Sequence, residues 1–129
     1  MKKPLLVLML ILVSTSAMAG WVKTGEDDEF THYADIATVR KFQGKAKVWR
    51  LIDYKSLHQA NKYKCLSSKV QQEFDCKEEQ VRVHAFSLFS KNMGAGKIVF
   101  SNTLPDDVWM PVAAEVNDAA LFNIACGKK

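Results

Sequence analysis

The chain has 129 residues, and its 18 Lys and Arg residues against 14 Asp and Glu residues give a formal net charge of +4. Two of these positive charges are Lys2 and Lys3, and the remaining ones are spread among acidic segments such as Glu26-Asp27-Asp28 and Lys77-Glu78-Glu79. The sequence shows no continuous basic stripe, which argues against nucleic acid as a partner because binding to a phosphate backbone needs clustered positive charge.

Residues 1–19 have the pattern of a cleavable secretory signal peptide. A positive start is followed by an almost entirely apolar run at residues 5–13 and by an A-x-A cleavage site that ends at Ala19. The apolar run is shorter than the ~20 residues that a membrane-spanning helix needs, although an uncleaved anchor is the alternative. No cysteine lies at the cleavage junction to carry a lipid. We expect a mature domain of residues 20–129, periplasmic or extracellular, with no membrane anchor after cleavage.

The central part of the chain has the alternating pattern of β-strands joined by hairpins. The clearest example is residues 70–76, where apolar Val70, Phe74 and Cys76 share one face with a single polar residue, Gln72. The next strand is predicted to place Val81, Val83, Ala85 and Phe89 on one face. Strands are predicted at residues 31–35, 39–43, 45–55, 70–76, 81–90 and 97–101, with hairpin turns at Gly44 and at residues 92–96.

The chain changes character after Pro111. Residues 113–126 are rich in alanine and are followed by Gly127, which favours the end of a helix, so they are predicted to form the only helix. A run of hairpin-linked strands followed by one helix predicts an α+β domain, in which the helix packs on one face of an antiparallel sheet. Residues 57–64 are polar and are predicted to form the longest loop.

The three cysteines of the chain predict one disulfide and one free thiol. Cys76 lies on the apolar face of its predicted strand, and Cys126 ends the helix that must cover this face, which favours a Cys76–Cys126 bond. Cys65 lies in the predicted polar loop and is left as the free thiol. Pairing of Cys65 with either of the other two stays open, because connectivity cannot be proved from spacing.

The sequence contains no recognised motif for catalysis, a cofactor or a metal. It has no G-x-S-x-G, H-E-x-x-H or P-loop motif, and its three histidines are scattered with no C-x-x-C. We therefore predict no catalytic residues, no cofactor and no metal ligands. Arg82 and His84 could form a small polar patch, but an ordinary surface histidine is the commoner role. Trp49 and Trp109 are candidate binding aromatics, although packing is commoner for such large side chains.

Several short motifs occur in a distinctive order and spacing. They are Tyr33-Ala34-Asp35, Thr38-Val39-Arg40, Val48-Trp49, Asp53-Tyr54-Lys55, Ser68-Lys69, Glu73-Phe74-Asp75-Cys76, Gly94-Ala95-Gly96, Trp109-Met110-Pro111-Val112 and Cys126. Over nearly the whole chain after residue 19, these motifs resemble the surface-adhesin protein E family of Gram-negative bacteria. The resemblance implies a six-stranded antiparallel sheet with a C-terminal helix held on its concave face and tethered by a disulfide.

The resemblance also implies a function in binding. The best-known member of the family is a lipid-anchored adhesin that binds host extracellular-matrix proteins such as vitronectin and laminin and can dimerise, whereas this chain lacks a lipidation cysteine and has the additional Cys65. We predict an exported, non-enzymatic binding module with a protein partner, such as a host matrix or envelope protein or a second copy in a homodimer. A periplasmic enzyme or an enzyme inhibitor of the cell envelope is the alternative. Lys55, Lys62 and Lys64 are the predicted partner-binding residues.

Overall fold

A computed structural model describes residues 20–104, 108–112 and 116–127, so the predicted signal peptide lies outside the described residues. The described residues form a single antiparallel sheet of eight strands together with one α-helix. The strands are β1 (Trp21–Glu26), β2 (Phe30–Asp35), β3 (Arg40–Phe42), β4 (Lys45–Ala60), β5 (Tyr63–Asp75), β6 (Gln80–Phe89), β7 (Ile98–Thr103) and β8 (Met110–Pro111), and the helix is α1 (Val116–Cys126).

The sheet is open, and most of its strands are arranged in sequence order. Neighbouring strands follow the order β1-β2-β4-β5-β6-β7, while β3 pairs with β4 and β8 pairs with β6. The α+β prediction of an antiparallel sheet with one C-terminal helix is confirmed. The predicted number of six strands is wrong, because β1 and β8 add two strands, of six and two residues, to those that the sequence pattern predicted. Strand β1 has no buried residue and β8 has only two residues, so neither shows the clear alternation that identifies a strand in a sequence.

The central strands β4 and β5 continue past their neighbours as a two-stranded hairpin. The predicted loop at residues 57–64 is therefore wrong: residues 58–60 pair with residues 63–65, and Asn61 turns the chain with a φ of 57°. The β2 and β6 partners end before this region, so the hairpin end pairs only with itself. Residues 55–62 are exposed. Without a buried face, these residues show none of the alternation that identifies a strand in a sequence.

Helix α1 packs on one face of the sheet and closes the apolar core. Phe74 of β5 is fully buried and meets Phe122 of α1 edge to face, with ring centroids 5.7 Å apart. Burying an aromatic side chain of this kind contributes roughly 1.5–3 kcal/mol. The predicted helix at residues 113–126 is found from Val116 onward, and residues 113–115 lie outside the described residues. The buried core consists of Ala34, Ala46, Val48, Phe74, Val81, Val112, Leu121, Phe122 and Ala125.

The structure has the disulfide and the free thiol that the sequence favoured. A disulfide joins Cys76, just after β5, to Cys126 at the end of α1, with a Cα–Cα distance of 5.7 Å. Cys65 forms no disulfide, but its predicted place in a loop is wrong, because it lies on β5 and is 1% exposed. Burial raises the pKa of the Cys65 thiol, although a hydrogen bond with Tyr54 opposes this effect. Cys65 is therefore a shielded, neutral thiol.

Buried polar residues extend the helix-covered face beyond the apolar core. Arg50 donates a hydrogen bond to Asp118 Oδ1 in the first turn of α1 at 2.8 Å, and another to Gln72 Oε1 at 3.1 Å. A second guanidinium nitrogen of Arg50 lies 3.2 Å from His32 Nδ1. This network accounts for Gln72, the single polar residue on the inner face of its strand, because its amide also donates to Asp118 at 3.4 Å.

Candidate binding surface

The sheet face opposite α1 carries aromatic and charged side chains. Because side chains alternate along a strand, Ala46 and Val48 of β4 point toward α1, whereas Lys47 and Trp49 point away from it. We call this second side of the sheet the open face. Its exposed and half-buried residues include Trp21, Asp35, Arg40, Phe42, Lys45, Lys47, Trp49, Lys69 and Gln71, together with the more deeply placed Glu73.

Three adjoining depressions form a shallow trough along the open face. The first has a volume of about 420 Å³ and is lined by Arg40, Phe42, Gln43, Lys45, Lys47 and Glu73. The second, of about 270 Å³, shares Arg40 and Lys47 with the first and extends to Trp49. The third, of about 290 Å³, shares Trp49 with the second and extends to Trp21 and Lys69. The shared side chains make the three depressions one continuous surface.

Two positive side chains without an ion pair in the described chain lie where the first two depressions meet. Arg40 and Lys47 are direct cross-strand partners on β3 and β4. Among the described residues, neither side chain has an ion pair or a hydrogen-bond partner, and nearby Lys45 approaches Asp75 only to 3.9 Å. Like charges directly opposite each other on a sheet are destabilising. A bound anion would relieve this repulsion.

Glu73 joins Arg82 and His84 in a compact cluster at the end of the trough. Arg82 Nε and Nη2 lie 3.0 and 2.9 Å from Glu73 Oε1, and His84 Nε2 lies 2.7 Å from the same oxygen. The Arg82 guanidinium also lies 4.3 Å from the centroid of the Trp109 ring. The expectation of an ordinary surface histidine is therefore wrong. The sequence could not show this contact, because it depends on the register between β5 and β6.

The electrostatics of this cluster favour a fixed charge over proton transfer. Burial opposes ionisation of Glu73, but the hydrogen bonds from His84 and Arg82 outweigh it, so the pKa of Glu73 lies below its ordinary value. A general acid or base works best with a pKa near the working pH. Within the described part of the chain, no serine, threonine or cysteine side chain bonds to the cluster, and no group of residues is arranged to hold a metal ion.

The three predicted partner-binding lysines all lie along the projecting β4–β5 hairpin. Lys55 lies at its base and forms a salt bridge with Glu26 Oε2 at 2.6 Å. Lys62 lies at the turn with its Nζ 5.7 Å from the centroid of the Tyr63 ring. Lys64 is exposed on the returning strand. The hairpin thus brings Lys62 and Lys64 together at its end and separates them from Lys55.

Sequence reasoning missed most of the open face. The alternation of Lys45, Lys47 and Trp49 along β4 was the available signal, since it places three polar or amphipathic side chains on one side of a strand. Trp21 and Lys69 gave no such signal. Lys69 Nζ lies 5.8 Å from the centroid of a Trp21 ring because of the strand order β1-β2-β4-β5, which no local pattern shows.

An open antiparallel sheet, covered on one face by a disulfide-tethered helix and exposed over part of the other, defines this chain as a small α+β domain with a free surface. The chain belongs to the surface-adhesin protein E family, whose model matches residues 21–127. It is therefore a surface-adhesin-like protein, and its family points to exposure outside the cell. In the part of the chain that the structure describes, no helix is long and apolar enough to cross a membrane.

Solved structures of Haemophilus influenzae protein E share this fold. Crystal form II superposes with a TM-score of 0.67 and 9% sequence identity, covering 88% of this chain and 91% of that chain. The selenomethionine form gives a TM-score of 0.66 at the same identity, covering 88% of this chain and 90% of that chain. At such low identity the likeness shows the fold alone. A comparison with curated proteins finds no match.

Proposed function

We propose that this chain is an exported, non-enzymatic binding module that attaches to a protein partner through the end of its β4–β5 hairpin. In this proposal residues 1–19 are removed as a signal peptide, and residues 20–129 act in the periplasm or outside the cell with no membrane anchor. Membership of an adhesin family supports the binding role. The partner class is a host extracellular-matrix or envelope protein, and a second copy of the chain is a further partner.

The projecting hairpin is the observation that supports this proposal best. Residues 55–62 are exposed, and Leu57 presents an apolar side chain that is 57% exposed. Within the described chain, Lys62 and Lys64 form no ion pair, so both are available to an acidic partner surface. Both strands of the hairpin end also have an outer backbone edge without a neighbouring strand, which suits recognition by strand addition.

The test is binding of the mature domain to immobilised vitronectin and laminin. We expect the double variant Lys62→Ala/Lys64→Ala to bind more weakly and with less dependence on salt, because screened charges would no longer contribute. Exposed Lys77 and Lys97 provide the matched control, and Lys77→Ala/Lys97→Ala should bind as the wild type does. All of these variants should keep their stability to within ~0.5 kcal/mol. Equal binding by both double variants would contradict the hairpin site.

Lys55 needs a separate variant, since its salt bridge to Glu26 gives it a structural partner. If Lys55 also contacts the partner, Lys55→Ala should weaken binding further in the hairpin double variant. Unchanged binding would assign Lys55 to the salt bridge alone.

An enzyme or enzyme inhibitor of the cell envelope is the second candidate. It is favoured by one observation, the convergence of Arg82 and His84 on Glu73 beside the trough. A hydrolytic activity of the purified mature domain that His84→Ala abolishes would support this candidate and contradict the binding-module proposal.

A further inference from the structure

We propose that the trough on the open face binds a linear acidic polysaccharide, whose carboxylate or sulfate groups pair with Arg40 and Lys47 and whose sugar rings pack on Trp49 and Trp21. This site lies on the sheet face opposite α1 and is distinct from the hairpin end. It goes beyond the proposed function and does not depend on it.

The charge of the trough defines the anionic part of the ligand. Arg40 and Lys47 face each other across the β3–β4 hairpin, and Lys45 is the next residue on the same face of β4. Lys45 lies 3.9 Å from Asp75. Lys47 lies opposite Glu73, but the Glu73 carboxylate forms its ion pair with Arg82. A guanidinium binds a planar carboxylate or a sulfate through two parallel hydrogen bonds, and an ammonium adds a point charge beside it. The site is therefore built for a ligand with localised negative charges.

The aromatic side chains define the rest of the ligand. Trp49 follows Lys47 at the next position on the open face, and Trp21 lines the adjoining depression with Lys69. Both tryptophans are half-buried, which leaves part of each indole available for an apolar surface such as the C–H face of a sugar ring. At ~3.3 Å per residue, the run from Lys45 to Trp49 is about 13 Å long, enough for more than one sugar unit. Along the trough the positive side chains are followed by the indole rings. This order matches a polymer in which charged groups alternate with apolar ring faces.

The acidic residues of the trough argue for a polysaccharide over a nucleic acid. Asp35 and Glu73 line the same surface as the cations, and Gln71 adds an amide. Carboxylates repel a backbone that carries a phosphate at every unit, whereas they accept hydrogen bonds from the hydroxyl groups of a sugar. The mixture of spaced cations, hydrogen-bond acceptors and indoles therefore suits a hydroxyl-rich chain with intermittent charge.

The test uses the mature domain with a size-defined hyaluronan octasaccharide, which carries one carboxylate per disaccharide, and binding is followed by tryptophan fluorescence and by calorimetry. We expect a change in tryptophan fluorescence on binding, and an affinity that falls at least about tenfold in Arg40→Ala/Lys47→Ala. The charge-preserving variant Arg40→Lys/Lys47→Arg should retain most of the affinity. Because both side chains are exposed and repel each other, the alanine variant should fold as stably as the wild type.

Three further measurements decide between ligand classes and surfaces. Neutral dextran should not bind, and a dT oligonucleotide of equal charge should bind more weakly than the hyaluronan octasaccharide. The hairpin variant Lys62→Ala/Lys64→Ala should bind hyaluronan as the wild type does. Wild-type affinity in the Arg40/Lys47 alanine variant would overturn the proposal. Equal or tighter binding of the oligonucleotide would overturn it in favour of a general polyanion site. The hairpin proposal is tested by vitronectin and laminin binding in Lys62→Ala/Lys64→Ala, and the trough proposal by polysaccharide binding in Arg40→Ala/Lys47→Ala. A negative result in one experiment therefore does not decide the other.

Discussion

At Glu73, burial and hydrogen bonding act on one carboxylate in opposite directions, and hydrogen bonding prevails. Glu73→Gln keeps the size of the side chain but leaves the Arg82 charge without its partner. Because the Arg82 side chain is 28% exposed, water compensates in part. We expect the free energy of unfolding in urea to fall by about 1–2 kcal/mol, less than the 3–5 kcal/mol typical of a fully buried pair.

Glu26 supplies the control for this substitution. It pairs with Lys23 and Lys55 on the surface of the protein, where ion pairs contribute little. Glu26→Gln should therefore leave the urea midpoint nearly unchanged. An equally large loss in both variants would show that the Glu73 cluster has no special structural role.

The lowered pKa of Glu73 also predicts a dependence of stability on pH. The unfolded chain takes up this proton near the ordinary value of 4.5, whereas the folded chain keeps the carboxylate ionised to lower pH. The stabilising contribution is thus fully present above that value and is lost as the pH falls toward the folded-state pKa. We expect the wild type to lose stability between about pH 5 and pH 3 more steeply than Glu73→Gln. Urea titrations across this range measure the difference, and superimposable pH profiles would contradict it.

Cys65 should react slowly in the native protein. It is 1% exposed, and burial raises the pKa of its thiol, so the reactive thiolate is both scarce and shielded. We expect alkylation by iodoacetamide, followed by mass spectrometry, to be about 100-fold slower in the folded chain than in urea. A cysteine at exposed Ser56, introduced by Ser56→Cys, should react quickly in the same sample. Similar rates at both positions would contradict the burial of Cys65.

At the scale of elements, the disulfide connects the C-terminal end of β5 to the C-terminal end of α1. The two cysteines are 50 residues apart, and the chain-entropy model gives such a cross-link about 4 kcal/mol of stabilisation. We expect Cys76→Ser/Cys126→Ser to lose an amount of this order in urea unfolding. Reduction of the wild type should give the same loss, and a much smaller loss in both would mean that α1 packs equally well without its tether.

Strands β5 and β6 show how far sequence patterns reach. The alternation around Phe74 predicted the helix-covered face of β5, because one face of that strand is buried. The same reasoning was wrong for β6. A register shift opposite Gln71 and Gln72 reverses the alternation, so the side chains after the shift point to the other face of the sheet. Val83 pairs with Gln72 on the helix-covered side, whereas Ala85 pairs with Gln71 on the open face. A β-bulge of this kind breaks the period of two without leaving a mark in composition.

The candidate sites differ in how many of their contacts join residues that are close in sequence. The predicted hairpin around Gly44 already implies that Arg40 and Lys47 come close, because a short turn sets the register of its two strands. The Glu73 cluster depends on pairing between β5 and β6, and the Trp21 end of the trough depends on the order of four strands. Such contacts are decided by tertiary packing, which the sequence of any one strand does not encode.

At the scale of the whole molecule, the mass of the protein recovered from its native cell tests whether the signal peptide is removed. An A-x-A site before Gly20 predicts that the protein recovered from its native cell begins at Gly20. Mass spectrometry of the intact protein should find this N-terminus and none at Met1. Changing Ala19 to a bulky residue, as in Ala19→Phe, should leave the precursor uncleaved. Recovery of the wild type in membranes with Met1 intact would contradict both cleavage and release.

The extended course of β5 also has a consequence for oxidative folding. Cys65 lies near one end of this strand and Cys76 just past the other, eleven positions further along the chain. At ~3.3 Å per residue the two thiols are roughly 36 Å apart once the strand has formed, whereas the Cα atoms of the native pair are 5.7 Å apart. A scrambled isomer that joins Cys65 to Cys76 is therefore confined to the time before β4 and β5 pair. Once formed, the strand holds Cys65 and Cys76 too far apart for this non-native disulfide to form.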